Sequence, residues 1–300
     1  MILGVDIGGT SVKLALVDAQ GSIHARHEAS TCFDGYRTPM LDTVLRQAGE
    51  FLARQDARVE GIGVSATGQI DTRTGTVIGT NGMIPNYEGA RIQERMQARF
   101  QLPVYVLNDA NAAALGECFA GCARGRRDVL MVTFGTGVGG GIIIDGRIYG
   151  GARGIAGEIG QFVLRRNGEP GGWFEDVAST GALVRAAERV LGETGLNGRI
   201  LFERAERGDA AVLWILDAWM EDIAAGLIGL VHIFNPGMLV LGGGVSVQRR
   251  LFVEPLRTKV LAGVQPRFAE GLEIESAVLG NDAGVLGAAR YFMEMNGRKN

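Results

Sequence analysis

The first thirty residues alternate between short apolar runs and glycine-containing breaks, a pattern that predicts a three-stranded meander. Residues 2–7 are apolar and β-branched, Gly8 and Gly9 interrupt them, and a second apolar run follows over residues 11–18. Gln20 and Gly21 mark the next turn, before a third run over residues 22–28. Runs of this kind, bounded by glycine, are typical of strands joined by tight turns.

Farther along the chain, apolar residues with helical spacing alternate with short β-rich runs. Helices are predicted at residues 38–55, 90–99, 179–191, 213–234 and 284–295, and another is predicted to open at Asn108-Asp109. Strands are predicted at residues 61–65, 104–107, 129–134, 142–144, 238–241 and 273–277. Residues 66–86 are predicted to form a loop, and residues 135–141 a glycine-rich break.

Both halves of the chain therefore begin with a meander broken by a glycine-rich turn and continue with alternating helices and strands. Such an internal repeat predicts an α/β protein with two related domains that face one another across a cleft. The 300 residues are enough for two domains of ordinary size.

Composition narrows the class of protein. Apolar residues make up 46% of the chain and charged residues 21%, with a net charge of −3, which gives no reason to expect nucleic-acid binding. No apolar run reaches the roughly 18 residues of a membrane span, and three cysteines are too few for a disulfide framework. We therefore expect a cytoplasmic protein without nucleic-acid or membrane partners.

Glycine is the one outlier, with 47 residues concentrated at the ends of apolar strands. The run from Gly135 to Gly141 fits the dinucleotide pattern G-x-G-x-x-G, but a strand and a hairpin turn follow it where that pattern requires a helix. No P-loop motif is present. Successive backbone N–H groups in a tight turn can nevertheless bind phosphate, so this segment is either a phosphate-binding hairpin or a simple turn.

The first hairpin has the same character and adds a carboxylate, Asp6, at the end of its strand. Thr10 and Thr136 supply hydroxyl groups beside the two turns. An unpaired carboxylate is poorly placed at the end of an apolar strand, and near phosphates its natural partner is Mg²⁺. Two such hairpins in two repeated halves favour phosphate binding over structural turns.

Asn108 and Asp109 end one predicted strand and open the following helix. Ligands collect at the carboxyl edges of strands in α/β sheets. Asp109 is therefore either the helix N-cap or a general base that accepts the proton of an attacking hydroxyl group.

Five motifs together resemble the ROK family of sugar kinases and repressors. They are Asp6-Ile7-Gly8-Gly9-Thr10, Asn108-Asp109-Ala110-Asn111, Gly135 to Gly141, Gly157-Glu158-Ile159-Gly160 and Leu241-Gly242-Gly243-Gly244-Val245. The resemblance implies the actin-like ATPase (ribonuclease H-like) fold, with a small domain of residues 1–107 plus about 284–300 and a large domain of residues 108–283. It also implies a homodimer.

The resemblance further implies two sets of binding residues. ATP phosphates would be held by Gly8, Gly9, Thr10, Gly135, Thr136 and Gly137, with Asp6 near Mg²⁺, and the adenosine would lie beside Gly242, Gly243 and Gly244. Asp109 would deprotonate the 6-hydroxyl of the sugar. The other sugar contacts would be Gly68, Asn81, Asn108, Glu158, Gln161 and Glu175.

One departure from the family concerns a metal site. Many members follow G-E-x-G with a histidine and a cysteine-rich segment that holds zinc. Here Gln161 stands in the place of that histidine, residues 163–176 contain no cysteine, and Glu175 is kept. We expect no zinc, an open choice of sugar, and a segment ordered by other means, such as packing of Trp173 and Phe174.

Two rival functions remain to be weighed. A sugar-responsive repressor of this family carries a helix-turn-helix ahead of the shared core, whereas the first strand here begins at Ile2. A sugar-binding protein without catalysis would lack the base or the phosphate hairpins, yet both motifs are present. The sequence therefore favours a kinase that uses ATP and Mg²⁺ to phosphorylate a hexose or hexose derivative.

Overall fold

A computed structural model describes residues 1–80, 82, 84–164 and 172–297 of the chain. Its strands are β1 Ile2–Ile7, β2 Ser11–Val17, β3 Ile23–Ser30, β4 Gly61–Ala66, β5 Gln69–Asp71, β6 Thr76–Gly79, β7 Val104–Asn108, β8 Val129–Phe134, β9 Val138–Ile144, β10 Arg147–Ile148, β11 Met238–Gly242 and β12 Glu273–Ser276.

The α-helices of the same residues are α1 Met40–Leu52, α2 Ile92–Phe100, α3 Asp109–Ala120, α4 Phe174–Ala178, α5 Thr180–Leu191, α6 Gly198–Glu206, α7 Ala210–Phe234, α8 Glu254–Gly263, α9 Pro266–Ala269 and α10 Ala283–Gly297. Short 3-10 turns lie at Ile159–Gln161, Gly244–Val247 and Gly280–Asp282, and a π-helical turn lies at Arg249–Val253. Among the described residues, no helix is long and apolar enough to span a membrane.

Two five-stranded sheets share one topology. Their strand orders are β3-β2-β1-β4-β7 and β10-β9-β8-β11-β12. In each sheet an antiparallel meander forms one side, and two further strands extend it in parallel from the first strand of the meander. The internal repeat that the sequence predicts is therefore present in the structure.

The register of the first sheet aligns the carboxyl ends of its parallel strands. Ile7 lies opposite Ala66, and Ala66 lies opposite Asn108. The segments that follow these three residues, which begin at Gly8, Thr67 and Asp109, consequently emerge side by side at one edge. In the second sheet, Thr133 lies opposite Gly242, so the turns after β8 and β11 also share an edge.

A pair of helices, α3 and α10, fills the space between the two sheets. Both contribute apolar residues to one core that also includes side chains from β1, β7, β8 and β11. The outer face of the first sheet packs with α1 and α2, whereas the outer face of the second packs mainly with α5, α6, α7 and α8. The division into residues 1–107 plus 284–300 and 108–283 stays a prediction.

The helix pair packs backbone against backbone at glycines. A methyl group at Gly287 would overlap the carbonyl oxygen of Ala112, and one at Gly116 would overlap that of Ala283. On the sheet side, a methyl group at Gly63 would overlap the carbonyl oxygen of Ala288. These glycines allow α10 to lie closer to its neighbours than any side chain would permit.

The structure corrects three local predictions. The glycine-rich break is shorter than residues 135–141, since β9 begins at Val138 and contains Gly139, Gly140 and Gly141. Part of the predicted loop 66–86 forms the β5–β6 hairpin. Helices α6, α8 and α9 lie where no helix is predicted from the sequence.

Candidate active site

A cavity of about 480 Å³ opens between the carboxyl edge of the first sheet and the β8–β9 hairpin; we call it the Asp109 cavity. It brings together six of the predicted sugar-contact positions, namely Gly68, Asn108, Asp109, Glu158, Gln161 and Glu175. The seventh, Asn81, lies outside the described residues. The cavity also contains Thr67, Gln69 and Tyr87, which the sequence did not single out, and Asn111 and Trp173, for which no sugar contact was predicted.

Asn108, not Asp109, is the N-cap of α3. Its Oδ1 accepts hydrogen bonds from the backbone N–H groups of Ala110 at 2.9 Å and Asn111 at 3.2 Å. Its Nδ2 donates to the carbonyl oxygen of Gly68 and to Oδ1 of Asp109, both at 2.9 Å. Asn108 therefore caps the helix and holds the neighbouring carboxylate, which removes the N-cap explanation for Asp109.

Asp109 has an altered acidity. Burial at the base of the cavity is the main cause that raises its pKa to about 6, and the negative charge of Asp6 adds to this. The N–H of Ala110, which donates to Oδ1 at 2.8 Å, favours the ionised form and limits the rise. A carboxyl group with a pKa near 6 is ionised at neutral pH but is a stronger base than an ordinary aspartate.

Two further carboxylates lie on the other side of the cavity. The pKa of Glu158 is raised by burial and by the negative charge of Glu175. Gln161 donates from Nε2 to Glu158 at 3.3 Å, so the residue that replaces the family's histidine contacts this carboxylate. The wall is therefore rich in hydrogen-bond acceptors, which suits a ligand with several hydroxyl groups.

Asp6 lies at the end of β1 beside a buried hydroxyl group. Ser65 donates to its Oδ1 at 2.6 Å, and the ammonium group of Lys13 lies 3.9 Å from its Oδ2. Burial raises the pKa of Asp6, although both neighbours oppose the rise. No group of three His, Cys, Asp or Glu residues in the described parts of the chain could hold a metal ion alone. A single carboxylate can hold Mg²⁺ when phosphate oxygens complete the site, so the role of Asp6 near Mg²⁺ stays a prediction.

Side chains from the following part of the chain hold the turn between β1 and β2 by hydrogen bonds. Thr31, which is fully buried, donates from Oγ1 to the carbonyl oxygen of Gly9 at 2.8 Å, and the hydroxyl of Tyr36 donates to the same oxygen. The N–H of Gly8 bonds the carbonyl oxygen of Ser11 at 2.9 Å. The turn that carries Gly8, Gly9 and Thr10 is therefore a fixed structure.

A second cavity, of about 690 Å³, lies at the edge of the second sheet; we call it the Thr136 cavity. Gly135, Thr136 and Gly244 line it, together with residues of α5, α6 and the segment after β11 that the sequence did not predict: Thr180, Gly181, Asn197, Gly198, Arg199 and Gln248. Gly243 has a φ of +87°, and a methyl group there would overlap the carbonyl oxygen of Phe134. Gly242 packs against Met131 and Thr133 instead of lining the cavity.

Glu175 connects the two cavities. It lines the Asp109 cavity, and its Oε2 accepts a hydrogen bond of 3.4 Å from the N–H of Val138, directly after the turn that lines the Thr136 cavity. A methyl group at Gly137 would lie 2.6 Å from that same oxygen. A side chain at position 137 would therefore have to displace the carboxylate of Glu175.

The two aromatic residues before Glu175 differ in burial. Phe174 is fully buried and stacks on Phe162 at a centroid distance of 4.6 Å, and its N–H bonds the carbonyl oxygen of Phe162 at 2.8 Å. Trp173 is 52% exposed and lines the Asp109 cavity. Packing of Phe174 therefore orders the end of the segment 163–176, as predicted. The prediction that Trp173 also packs in this way was wrong. Residues 165–171 of the segment lie outside the described residues.

Comparisons with known proteins agree with this architecture. A glucokinase of Halalkalibacterium halodurans is 34% identical over 309 residues, covering 95% of this chain and 92% of that protein. A β-glucoside kinase of Listeria monocytogenes is 32% identical over 306 residues, covering 99% of both. The crystal structure of a ROK family glucokinase from Streptomyces griseus in complex with glucose and AMPPNP superimposes with a TM-score of 0.78 at 31% identity, over 97% of this chain and 98% of that one.

These likenesses confirm the predicted actin-like ATPase fold. Residues 2–295 match the ROK family, so the match extends over nearly the whole chain. The protein is therefore a member of the ROK family.

Proposed function

We propose that this chain is a sugar kinase that transfers the γ-phosphoryl group of ATP to the 6-hydroxyl of a hexose or hexose derivative. Glucose, N-acetylmannosamine and β-glucosides are the candidate acceptors. Support comes from the relatives named glucokinase and β-glucoside kinase and from the chemistry of the two cavities.

The observation that carries the proposal is the state of Asp109. It is a carboxylate with a pKa of about 6 that is released from helix capping by Asn108 and lies in a cavity with acceptor-rich walls. A group with this basicity accepts the proton of the attacking hydroxyl as that hydroxyl bonds to phosphorus. No other role is needed to explain why the chain buries this charge.

Glu158, Glu175 and Gln161 would bind the remaining sugar hydroxyls, with Gly68 and Asn108 on the opposite wall. Asn81, which lies outside the described residues, stays a predicted contact. A bound hydroxyl loses its water, so each needs a partner in the cavity. Gln161 and the exposed Trp173 line the same cavity, and in this proposal they would contact a substituent on the ring. These two residues are therefore where we expect the choice of acceptor to be made.

ATP would place its phosphates along the two glycine turns and its nucleoside in the Thr136 cavity, beside Gly243 and Gly244. Backbone N–H groups of tight turns are suited to phosphate oxygens. Mg²⁺, held indirectly through Asp6, would neutralise phosphate charge. The proposal includes no structural zinc, and metal analysis that finds stoichiometric zinc would contradict that part of it.

An ADP-release assay tests the function directly. Purified protein is offered Mg-ATP with glucose, N-acetylmannosamine, N-acetylglucosamine, mannose, fructose or cellobiose. We expect at least one sugar to stimulate ADP release, with Asp109→Asn as the inactive control. Sugar binding without any ADP release would instead support the alternative, a regulator or sugar-binding protein without catalysis.

The proposal also includes a homodimer that acts in the cytoplasm. Sedimentation equilibrium of the purified protein measures the first point, and cell fractionation measures the second. A monomer at all concentrations would contradict the dimer.

A further inference from the structure

Tyr87 lies in the segment between β6 and α2 and reaches the Asp109 cavity from the side of the first sheet. The residue is only 1% exposed. Its hydroxyl group is buried without a hydrogen-bond partner among the described residues. A buried polar group left in this state destabilises the fold, so a phenylalanine would be the better residue if packing were the only purpose.

The electrostatic surroundings place this hydroxyl near the base. Burial raises the pKa of Tyr87, and the negative charge of Asp109 raises it further. The phenol therefore stays protonated and keeps its O–H as a donor at neutral pH. Its ring packs with the core of the first sheet, which fixes the direction of the hydroxyl.

Three carboxylates make this cavity rich in hydrogen-bond acceptors. Asp109, Glu158 and Glu175 are acceptors when ionised. Nδ2 of Asn108 donates to Gly68 and Asp109, and Nε2 of Gln161 donates to Glu158. A sugar hydroxyl that gives its proton to one of the carboxylates still has lone pairs that need a donor when it leaves water.

We propose that the Tyr87 hydroxyl is a substrate-binding group that donates a hydrogen bond to a sugar hydroxyl oxygen adjacent to the hydroxyl that Asp109 deprotonates. This inference rests on the proposed sugar kinase function. The bond would form when sugar binds and would supply the partner that the phenol lacks among the described residues.

Tyr87→Phe tests the inference, because it removes the hydroxyl and keeps the ring. The matched control is Tyr105→Phe, which changes another buried tyrosine, in β7, that is not among the residues lining the cavity. Each variant is measured for Tm without sugar, for kcat, and for KM with ATP and with the hexose that the wild type uses best.

For Tyr87→Phe we expect an unchanged or higher Tm, a rise of about 3- to 10-fold in KM for the hexose, and kcat and KM for ATP near wild type. A purely structural role would change Tm without changing KM. Deoxy forms of the same hexose, each of which lacks one hydroxyl group, locate the bond. With the form that lacks the bonded hydroxyl, KM should be the same for the wild type and Tyr87→Phe. With the other forms, the wild type should keep the lower KM.

Equal hexose KM values for wild type and Tyr87→Phe would overturn the inference and leave the kinase function standing. A loss of the same size in Tyr105→Phe, or an advantage that survives with every deoxy sugar, would also overturn it. A wild type that neither binds nor phosphorylates any sugar of the panel would overturn the proposed function, and the inference with it.

Discussion

The side-chain amide of Asn108 donates a hydrogen bond of 2.9 Å to the carboxylate of Asp109, while its oxygen caps the helix that Asp109 opens. One side chain thus performs the structural task and leaves its neighbour free for chemistry. Variants at these two positions should separate the two roles.

Replacing Asp109 by Asn should reduce turnover about 10²- to 10⁴-fold, because the general base is lost. Sugar binding should be largely kept, since the amide is nearly isosteric. Single-turnover kinetics and calorimetric titration with the preferred sugar measure the two effects. Turnover close to wild type would remove Asp109 from the mechanism.

The same variant should be more stable than the wild type near pH 7. Because the pKa of Asp109 is raised to about 6 in the folded protein, the ionised carboxylate destabilises the fold above that pH; this penalty disappears below the unfolded-state pKa of about 4. Two pKa units correspond to about 3 kcal/mol, so we expect Asp109→Asn to gain up to that amount at pH 7.5 and nothing at pH 3.5. Urea unfolding at both pH values measures the difference, and a gain that is the same at both would contradict this cause.

Activity should fall as the medium becomes acidic. Since Asp109 works as a base only when ionised, kcat/KM should be level above about pH 7 and fall about tenfold per pH unit below 6. A pH–rate profile in buffers of constant ionic strength measures this limb. A midpoint near 4, typical of an exposed aspartate, would argue against the buried state of this carboxylate.

Asn108→Ser and Asn108→Ala should shift the pH at which kcat/KM falls, and by similar amounts. Both lose the N–H donor that favours ionised Asp109, so the apparent pKa should rise in each. Only alanine also loses the N-cap, at a cost of about 1 kcal/mol. Profiles of kcat/KM against pH and unfolding curves measure the two effects. If kcat/KM fell at the same pH in both variants as in the wild type, the hydrogen bond to Asp109 would have no effect on the pKa of that carboxyl group.

Gly137→Ala should affect sugar as well as ATP. Its methyl group would lie 2.6 Å from Oε2 of Glu175 and would displace that carboxylate from the sugar side. We expect kcat/KM for the sugar to fall about 10- to 100-fold, as misplaced binding groups commonly cause. Gly229→Ala, at a helix position where a methyl group meets nothing within 4 Å, is the matched control. An effect confined to KM for ATP would disprove the link through Glu175.

Gly287→Ala should destabilise the protein by about 1–3 kcal/mol or more, because its methyl group would overlap the backbone of α3. Gly229→Ala should do the opposite and stabilise α7 by up to about 1 kcal/mol. Urea unfolding compares the two. Equal effects would mean that the contact between α3 and α10 can open at little cost.

Much of the architecture could be predicted from the local pattern, since strand runs and helical spacing are local properties. The extent of the glycine break could not. Gly139, Gly140 and Gly141 look like part of a turn, but they lie in β9 because Ala110, Ala114 and Ile159 pack against the strand at these positions. Only the three-dimensional contact explains them.

The motifs of the site could be predicted from the sequence, but the role of each residue within them could not. Asn and Asp are equally good N-caps, so the sequence did not tell which of residues 108 and 109 caps α3. Tyr87 stands in a segment predicted to lie near a loop, and nothing in its surroundings along the chain shows that its hydroxyl is buried beside Asp109. Burial of a polar atom depends on contacts between distant residues.

The position of α10 also bears on the order in which the protein folds during synthesis. The inner face of the first sheet, formed largely by residues 2–17 and 61–66, is covered by residues 283–297. These strands are synthesised before α10, so they keep one apolar face uncovered until α10 has been made. Because two parts of one core are synthesised more than 200 residues apart, the nascent chain is exposed to aggregation in the interval.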